Sequence, residues 1–365
     1  MSLSRKKILL SVNTSWNIIN FRLNLVKKLQ SLGHEVHILC PKDKFTQEII
    51  DLGCIYHPIK MDNKGSNPLK DLRLLCDYYI NISKIKPDKV FFFTVKPNIY
   101  GSTASSILNV SYVNNITGLG TSFLHKGATK KIVKTLYRLA LKKSEKIFFQ
   151  NTDDANLFIS KKIIKNQKTH ILPGSGVDLK KFKPEPLPLK TTFYFISRLL
   201  YDKGIRELLS ASKSLRTKYG DRFNLIIIGK EEKEQSLGIP IQEIKKLETE
   251  GFLKYEGTTT DIKKELKKAS VVILPSYREG TSRVLLEACA MGRPIITTNV
   301  PGCKHLIKNN GWICEARSTF SLEKVMESAL LSTKNYLEEL GKNSRNLVED
   351  TFDEQIVIEA YTNEL

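Results

Sequence analysis

Two glutamates, Glu279 and Glu287, stand eight residues apart in the run PSYREGTSRVLLEACAMG, with Gly280, Thr281, Ser282 and an apolar stretch between them. A carboxylate inside an apolar segment needs hydrogen-bonding partners, because burying an unpaired charge is costly. Sugar or ribose hydroxyls are suitable, since one carboxylate accepts two at once. If residues 283–291 are helical, Gly280, Thr281 and Ser282 stand at the helix start, where free backbone N–H groups and the helix dipole favour a phosphate. A capping acid followed by an ordinary helical glutamate has the same spacing. Upstream, Arg198 and Lys203 lie five apart in FISRLLYDKG. A planar guanidinium fork and a point charge at that spacing can grip one diphosphate, and two surface cations are the alternative.

These residues need strand ends and helix starts to hold them. Short apolar runs alternate with amphipathic stretches along all 365 residues, which predicts an α/β chain of two doubly wound parallel-sheet domains. In the first half, strands are expected at 8–12, 36–39, 55–58, 90–93, 111–115, 147–150 and 170–172, with helices at 19–32 and 69–85. The stretch 180–190 holds Pro184, Pro186 and Pro188 and reads as the interdomain connection. Strands at 192–197, 224–228, 254–256, 271–274 and 294–297 follow. The expected domains are 1–183 and 184–345, with a last helical segment within 346–365 able to pack back on the first domain. Two such sheets facing a central cleft would bind ligands at their strands' carboxyl ends.

Composition narrows the function classes. No run of about 18 apolar residues is present, so a membrane span is not expected. The start Arg5-Lys6-Lys7 followed by a short apolar run reads as a first strand rather than a signal peptide. Six scattered cysteines without paired spacing point to a reduced, cytosolic compartment without structural zinc. The net charge is +20, unevenly spread: 31 Lys and Arg against 13 Asp and Glu up to Pro186, and 27 against 25 after it. A basic first half implies a polyanionic partner there, or a lysine-rich surface kept for solubility.

The run from Pro275 to Glu287, continued by Gly292-Arg293-Pro294 and Val300-Pro301-Gly302-Cys303, resembles the E-x7-E signature of the family-four glycosyltransferases. Phe195-Ile196-Ser197-Arg198 with Lys203-Gly204 resembles that family's donor-diphosphate pair, and Gly174 to Asp178 with Phe182 resembles its GSGVD segment. Phe93 to Gly101 and Asn115 to Gly120 resemble a bacterial subgroup that extends undecaprenyl-diphosphate-linked sugars. The resemblance implies a GT-B fold, transfer with retention, no cofactor and no obligatory metal. It also implies a nucleotide-sugar donor, a UDP-sugar in the first instance, held by the second domain. The sugar best matching that subgroup is an N-acetylhexosamine such as GalNAc, placed on a lipid-linked saccharide in glycoprotein glycan, O-antigen or capsule assembly. Arg198 and Lys203 would neutralise charge on the departing diphosphate. Glu279 would sit near the sugar, Gly280 to Ser282 at the diphosphate, and Glu287 at the ribose. Ser282 stands where proline is frequent in the family, and His305 where many relatives have Glu. The catalytic-site His that many relatives carry has no counterpart in the Thr117-Gly118-Leu119-Gly120 region.

The acceptor-binding candidates are Lys96 at a strand's end, with Asn20 and Arg22 after the first strand, for the acceptor diphosphate, Asn98 beside Lys96, and Thr117 and Gly118, which with Gly120 allow close backbone approach by a ligand or form a tight turn that requires glycine. A plain salt bridge is the rival for the charged ones. The segment 121–146 carries seven Lys or Arg between Lys126 and Lys143, interleaved with Ile132, Val133, Leu136, Leu139 and Ala140. Helical spacing would give one apolar and one cationic face, suited to an anionic membrane surface through Lys126, Lys130, Lys131, Lys134 and Arg138. An ordinary core-facing helix is the alternative, and His125 beside it reads as a surface or membrane-facing residue. These expectations make a peripheral enzyme at the cytoplasmic face of the inner membrane. The competing readings are a GT-B enzyme with a soluble acceptor, a sugar-nucleotide epimerase, and a basic nucleic-acid-binding protein. The last has a single aromatic, Tyr137, between Lys126 and Lys143 and none of the expected motifs, so no nucleic-acid partner is expected.

Overall fold

In the computed structural model the described residues are 4–62, 67–119, 128–165, 168–232, 234 and 236–365, with backbone alone for 128–130. They form two units, Met1–Ser175 with Gln355–Leu365, and Gly176–Glu354.

The first unit holds seven strands: β1 (Lys7–Ser11), β2 (Glu35–Cys40), β3 (Ile55–Pro58), β4 (Lys89–Phe93), β5 (Tyr112–Ile116), β6 (Lys146–Phe149) and β7 (Thr169–Ile171). Between them run α1 (Ser15–Phe21), α2 (Leu23–Ser31), α3 (Thr46–Asp51), α4 (Pro68–Ile85), α5 (Ser102–Leu108), α6 (Ala128–Ala140) and α7 (Thr152–Ser160). The sheet is parallel in the order β3-β2-β1-β4-β5-β6-β7. Because strand side chains alternate, β4 sends Val90 and Phe92 to the face covered by α4, and Phe91 and Phe93 to the other. The single helix expected at 19–32 is instead α1 and α2, broken at Arg22, whose φ of −139° is not helical. There the guanidinium turns inward, 3.9 Å from the Phe93 ring centroid.

The second unit holds β8 (Thr191–Ile196), α8 (Ile205–Tyr219), β9 (Phe223–Ile228), α9 (Ile241–Thr249), β10 (Lys254–Tyr255), α10 (Ile262–Lys267), β11 (Val271–Leu274), α11 (Arg283–Ala290), β12 (Ile295–Thr298), β13 (Gly311–Cys314), α12 (Thr319–Leu331) and α13 (Lys334–Thr351). Its order is β10-β9-β8-β11-β12-β13, all parallel. The edge strand β13 was not expected. Its four residues GWIC offer too short an apolar run to distinguish a strand from a loop, and pairing with β12 decides it.

The stretch 180–190 is not a free connection. Fully buried Arg293 donates to the Pro186 carbonyl at 3.0 and 3.1 Å, and Arg345 donates to the Phe182 carbonyl at 2.8 Å. This stretch forms neither helix nor strand, so its carbonyls have no regular backbone donors, and the two arginines satisfy two of them. Residues 176–183 and 346–354 accordingly belong to the second unit. The last helix, α14 (Glu354–Thr362), puts Val357, Ile358 and Tyr361 into the first unit's core. Tyr361 meets the Phe91 and Phe148 rings edge-on at 5.1 and 5.0 Å.

Candidate functional site

Strand order reverses between β8 and β11, and in doubly wound sheets the carboxyl ends at such a point open a ligand crevice. The β8–α8 connection supplies Arg198 and Lys203, and the β11–α11 connection supplies Ser276, Glu279, Gly280, Thr281 and Ser282. Two close approaches lock the connections. Gly204, at φ +72°, leaves no room for a Cβ against the Pro275 carbonyl, and Tyr277 N donates to the Asp202 carbonyl at 2.8 Å. Gly302, at φ +80°, would drive a Cβ into the Glu279 carbonyl, and Glu279 N donates to the Pro301 carbonyl at 3.1 Å. Only glycine meets both demands at these positions, a left-handed backbone and no side chain.

This bracing puts Lys203 Nζ 2.6 Å from Glu279 Oε1, across 76 residues of sequence. The same oxygen accepts from Ser276 Oγ at 2.7 Å. Glu287 is 7% exposed, and its Oε1 accepts from Arg283 Nε at 2.8 Å one turn earlier on α11. Arg198 stands apart, with a side chain 64% exposed and its guanidinium 4.0 Å from Glu232. Lys203 and Arg283 are each held by a hydrogen-bonded carboxylate, whereas Arg198 is largely exposed beside Glu232. Ser282 is buried at the N-cap of α11 and makes no side-chain capping bond. Thr281 Oγ1 lies 3.4 Å from His305 Nε2, so the residue that replaces the family's Glu stands at this loop.

In the first unit the reversal lies between β1 and β4. Lys96 follows β4, and its Nζ lies 2.7 Å from Asp71 Oδ1 on the first turn of α4, the salt bridge that was its rival reading. Asn98 corrects an expectation. It is fully buried, donating to the Asn115 carbonyl at 2.7 Å and accepting from Asn114 at 2.8 Å, so it braces β5 and meets no solvent. Arg22 is also buried, donating to Asn17 Oδ1 at 2.7 Å beneath its contact with Phe93. Asn20 donates to the Trp16 carbonyl at 3.0 Å on its own helix. Thr117 and Gly118 follow β5 and are partly exposed.

The segment with the expected amphipathic face divides differently. Val133, Leu136, Tyr137 and Ala140 of α6 point inward, whereas Ile132 and Leu139 face solvent beside Lys131 and Arg138. Arg138 is also tied to the backbone, donating to the Lys162 carbonyl at 2.9 Å. Lys134 is partly buried. The structure thus assigns most of the apolar positions to the core. Lys126, His125, Gly120 and the Lys130 side chain lie outside the described residues.

Sequence reasoning missed Ser276, Asp71 and Glu232 as partners. Ser276 lay within the quoted motif and carried a signal in its three-residue spacing to Glu279. Asp71 lies 25 positions from Lys96, and no local pattern links them.

The profile described as "Glycosyl transferase 4-like" matches residues 7–151, and that described as "Glycosyl transferases group 1" matches residues 178–347. The chain is 26% identical to a Campylobacter jejuni N,N'-diacetylbacillosaminyl-diphospho-undecaprenol alpha-1,3-N-acetylgalactosaminyltransferase, over 94% of each chain. It is 27% identical to an Escherichia coli UDP-Gal:alpha-D-GlcNAc-diphosphoundecaprenol alpha-1,3-galactosyltransferase, covering 78% of this chain and 76% of that one. Anabaena HepE, solved with UDP and glucose, superposes with a TM-score of 0.80 at 17% identity over 99% of each chain, and WaaG with 0.72 at 14% identity over 97% and 99%. With a parallel Rossmann-like sheet in each unit, a four-like first half and a group 1 second half, the chain belongs to the family-four glycosyltransferases of GT-B fold.

Proposed function

We propose that this enzyme is a retaining hexosyltransferase that moves a sugar from a UDP-sugar to an undecaprenyl-diphosphate-linked saccharide during glycan assembly. An N-acetylhexosamine is the sugar best matching its relatives, one of which is named for N-acetylgalactosamine and another for galactose. The observation that carries the reading is the Lys203–Glu279–Ser276 constellation, set beside the N-terminus of α11 at the switch point of the second unit.

In this reading the donor diphosphate takes Lys203 and Arg198 as counter-charges, with Gly280, Thr281 and Ser282 presenting backbone N–H groups. As the glycosidic bond to the donor breaks, negative charge grows on the departing diphosphate, and fixed cations stabilise it most at that moment. Glu287, already oriented by Arg283, accepts from the ribose hydroxyls. Glu279 holds Lys203 in position and turns its remaining acceptor capacity toward the sugar. In the first unit, Lys96 meets the acceptor diphosphate while Asp71 steadies it, and Asn20, Thr117 and Gly118 border the same sheet edge. A lipid-linked acceptor brings the enzyme to the cytoplasmic face of the inner membrane as a peripheral protein, attracted by the basic first unit, with Lys131 and Lys134 among its cations. No helix among the described residues is long and apolar enough to cross a membrane.

The test is a screen of nucleotide sugars against undecaprenyl-diphosphate-linked monosaccharides, reading released nucleoside diphosphate. Release that requires both a UDP-sugar and the lipid-linked acceptor supports the reading. Equal release with free saccharides, or interconversion of the nucleotide sugar without an acceptor, overturns it.

A further inference from the structure

We infer that the outer face of α4, together with α5 and α6, is a docking surface for an anionic lipid bilayer, with α4 rather than α6 as its main apolar contact. This deepens the preceding reading and rests on its lipid-linked acceptor. On α4 the buried positions are Asp71, Leu74, Tyr78, Ile82 and Ile85. Directly opposite runs Leu69, Leu72, Cys76, Tyr79 and Ile80, all exposed, with Leu69 81% and Leu72 59% exposed. The spacing of three, four and three to four residues keeps them in one line along the helix. From Leu69 to Ile80 the stripe extends about 16 Å at 1.5 Å per residue.

The neighbouring helices add exposed apolar residues of their own. The α5 side packs against both α4 and α6 and leaves Ile107 exposed, and α6 turns Ile132 and Leu139 outward. Charge selects the occupant. In sequence the three helices hold Lys70, Arg73, Lys84, Lys130, Lys131, Lys134 and Arg138 against two acids, Asp71 and Asp77. Asp71 is buried against Lys96 and Lys70 pairs with Asp62 at 3.2 Å, so the positive charge that remains comes from Arg73, Lys84, Lys131, Lys134 and Arg138. A second copy of the chain would oppose like charges across a two-fold axis, and lysine is depleted at protein interfaces. An anionic bilayer accepts both the apolar stripe and its basic flanks.

The stripe begins at the turn of α4 that carries Asp71, on the helix face opposite the Asp71–Lys96 pair.

A native reporter lies in the stripe. Cys76 is exposed, while Cys40, Cys54, Cys289, Cys303 and Cys314 are buried, with thiols that burial pushes up to about 11 or 12. The full chain is labelled with a charged, water-soluble maleimide in the presence of phosphatidylcholine vesicles with or without phosphatidylglycerol. Vesicles containing phosphatidylglycerol should slow Cys76 labelling by about tenfold or more, because occlusion of the stripe shields the thiolate that reacts. Vesicles of phosphatidylcholine alone should have little effect. In vesicle sedimentation, the double variant L69S/L72S should bind about tenfold or more weakly, each buried leucine being worth at least that factor. Phe320→Ser, at an exposed aromatic of α12, should bind as wild type.

Unchanged Cys76 labelling, or wild-type binding by L69S/L72S, overturns the inference. So does a dimer in solution that L69S/L72S dissociates. Cys76 protection needs no mutation, so misfolding of the double variant does not blunt the test. Protection without any glycosyl transfer would retain this surface and sink the proposed activity; transfer without protection would do the reverse.

Discussion

Replacing Lys203 with Met keeps the aliphatic stem and removes the charge that reaches Glu279. Both side chains are about one-seventh exposed, at 14% and 16%, so Lys203→Met leaves Glu279 as a poorly hydrated carboxylate with Ser276 still donating to it. Breaking a buried pair costs about 3–5 kcal/mol and an exposed pair about 0–1, which puts this partly buried case near 2 kcal/mol. In a domain of this size each kcal/mol moves Tm by about 2–4 °C, so a fall of about 4–8 °C is expected for the second unit. Glu279→Gln should cost a similar amount. The double variant K203M/E279Q removes both charges together and should recover about 1–2 kcal/mol of the summed losses. Activity should follow a different rule. Loss of a charge that stabilises the departing diphosphate lowers kcat by about 10²–10³-fold, and deleting Glu279 as well restores none of it. Thermal denaturation with and without UDP, beside a nucleotide-release assay, reads both quantities. UDP should raise the wild-type Tm and fail to raise that of Lys203→Met. Retention of kcat/KM within about threefold in Lys203→Met would refute the donor-site assignment. Strictly additive stability losses would refute the coupling.

Glu287→Gln should lower kcat/KM for the UDP-sugar by about 10²-fold through donor KM, with the fold intact, since the amide still accepts from Arg283. Wild-type donor KM would remove Glu287 from the ribose site. Asn98→Ala should cost about 2 kcal/mol by removing the side-chain donor to the Asn115 carbonyl and the acceptor of one Asn114 N–H, the other still reaching Ser102, and acceptor KM in the surviving folded fraction should stay at the wild-type value. A raised acceptor KM with unchanged Tm would reinstate Asn98 as a ligand contact. His57, stacked on His37 at the β2–β3 edge, is held below its ordinary value of 6.5 by burial and by the neighbouring ring. Its stabilising contribution is therefore fully present above about 6.5 and is lost as pH falls through the lower folded value. Tm should drop on acidification through that window, and His57→Asn should flatten the drop. An unchanged slope in the variant would assign the loss to other groups.

The sequence by itself determined the two α/β halves, most strand positions and the motif glutamates. These are local properties: a period of two or 3.6, a proline that interrupts, a glycine before a helix, all readable within a dozen residues. Tertiary structure decided the partnerships. Asp71 reaches Lys96 from a different helix, and Lys203 reaches Glu279 only because β8 and β11 pair as neighbours in the sheet. Whether a polar residue near a strand end faces ligand or core was equally out of reach, as buried Asn98 shows against partly exposed Thr117. The apolar residues of α6 make the same point. Spacing alone grouped Ile132 with Val133 and Leu136, but only the neighbouring β5–β6 layer fixed which side of the helix is covered. A helical pattern states that a face exists; what packs against it depends on contacts between residues far apart in the chain, and those form only when the sheet is assembled.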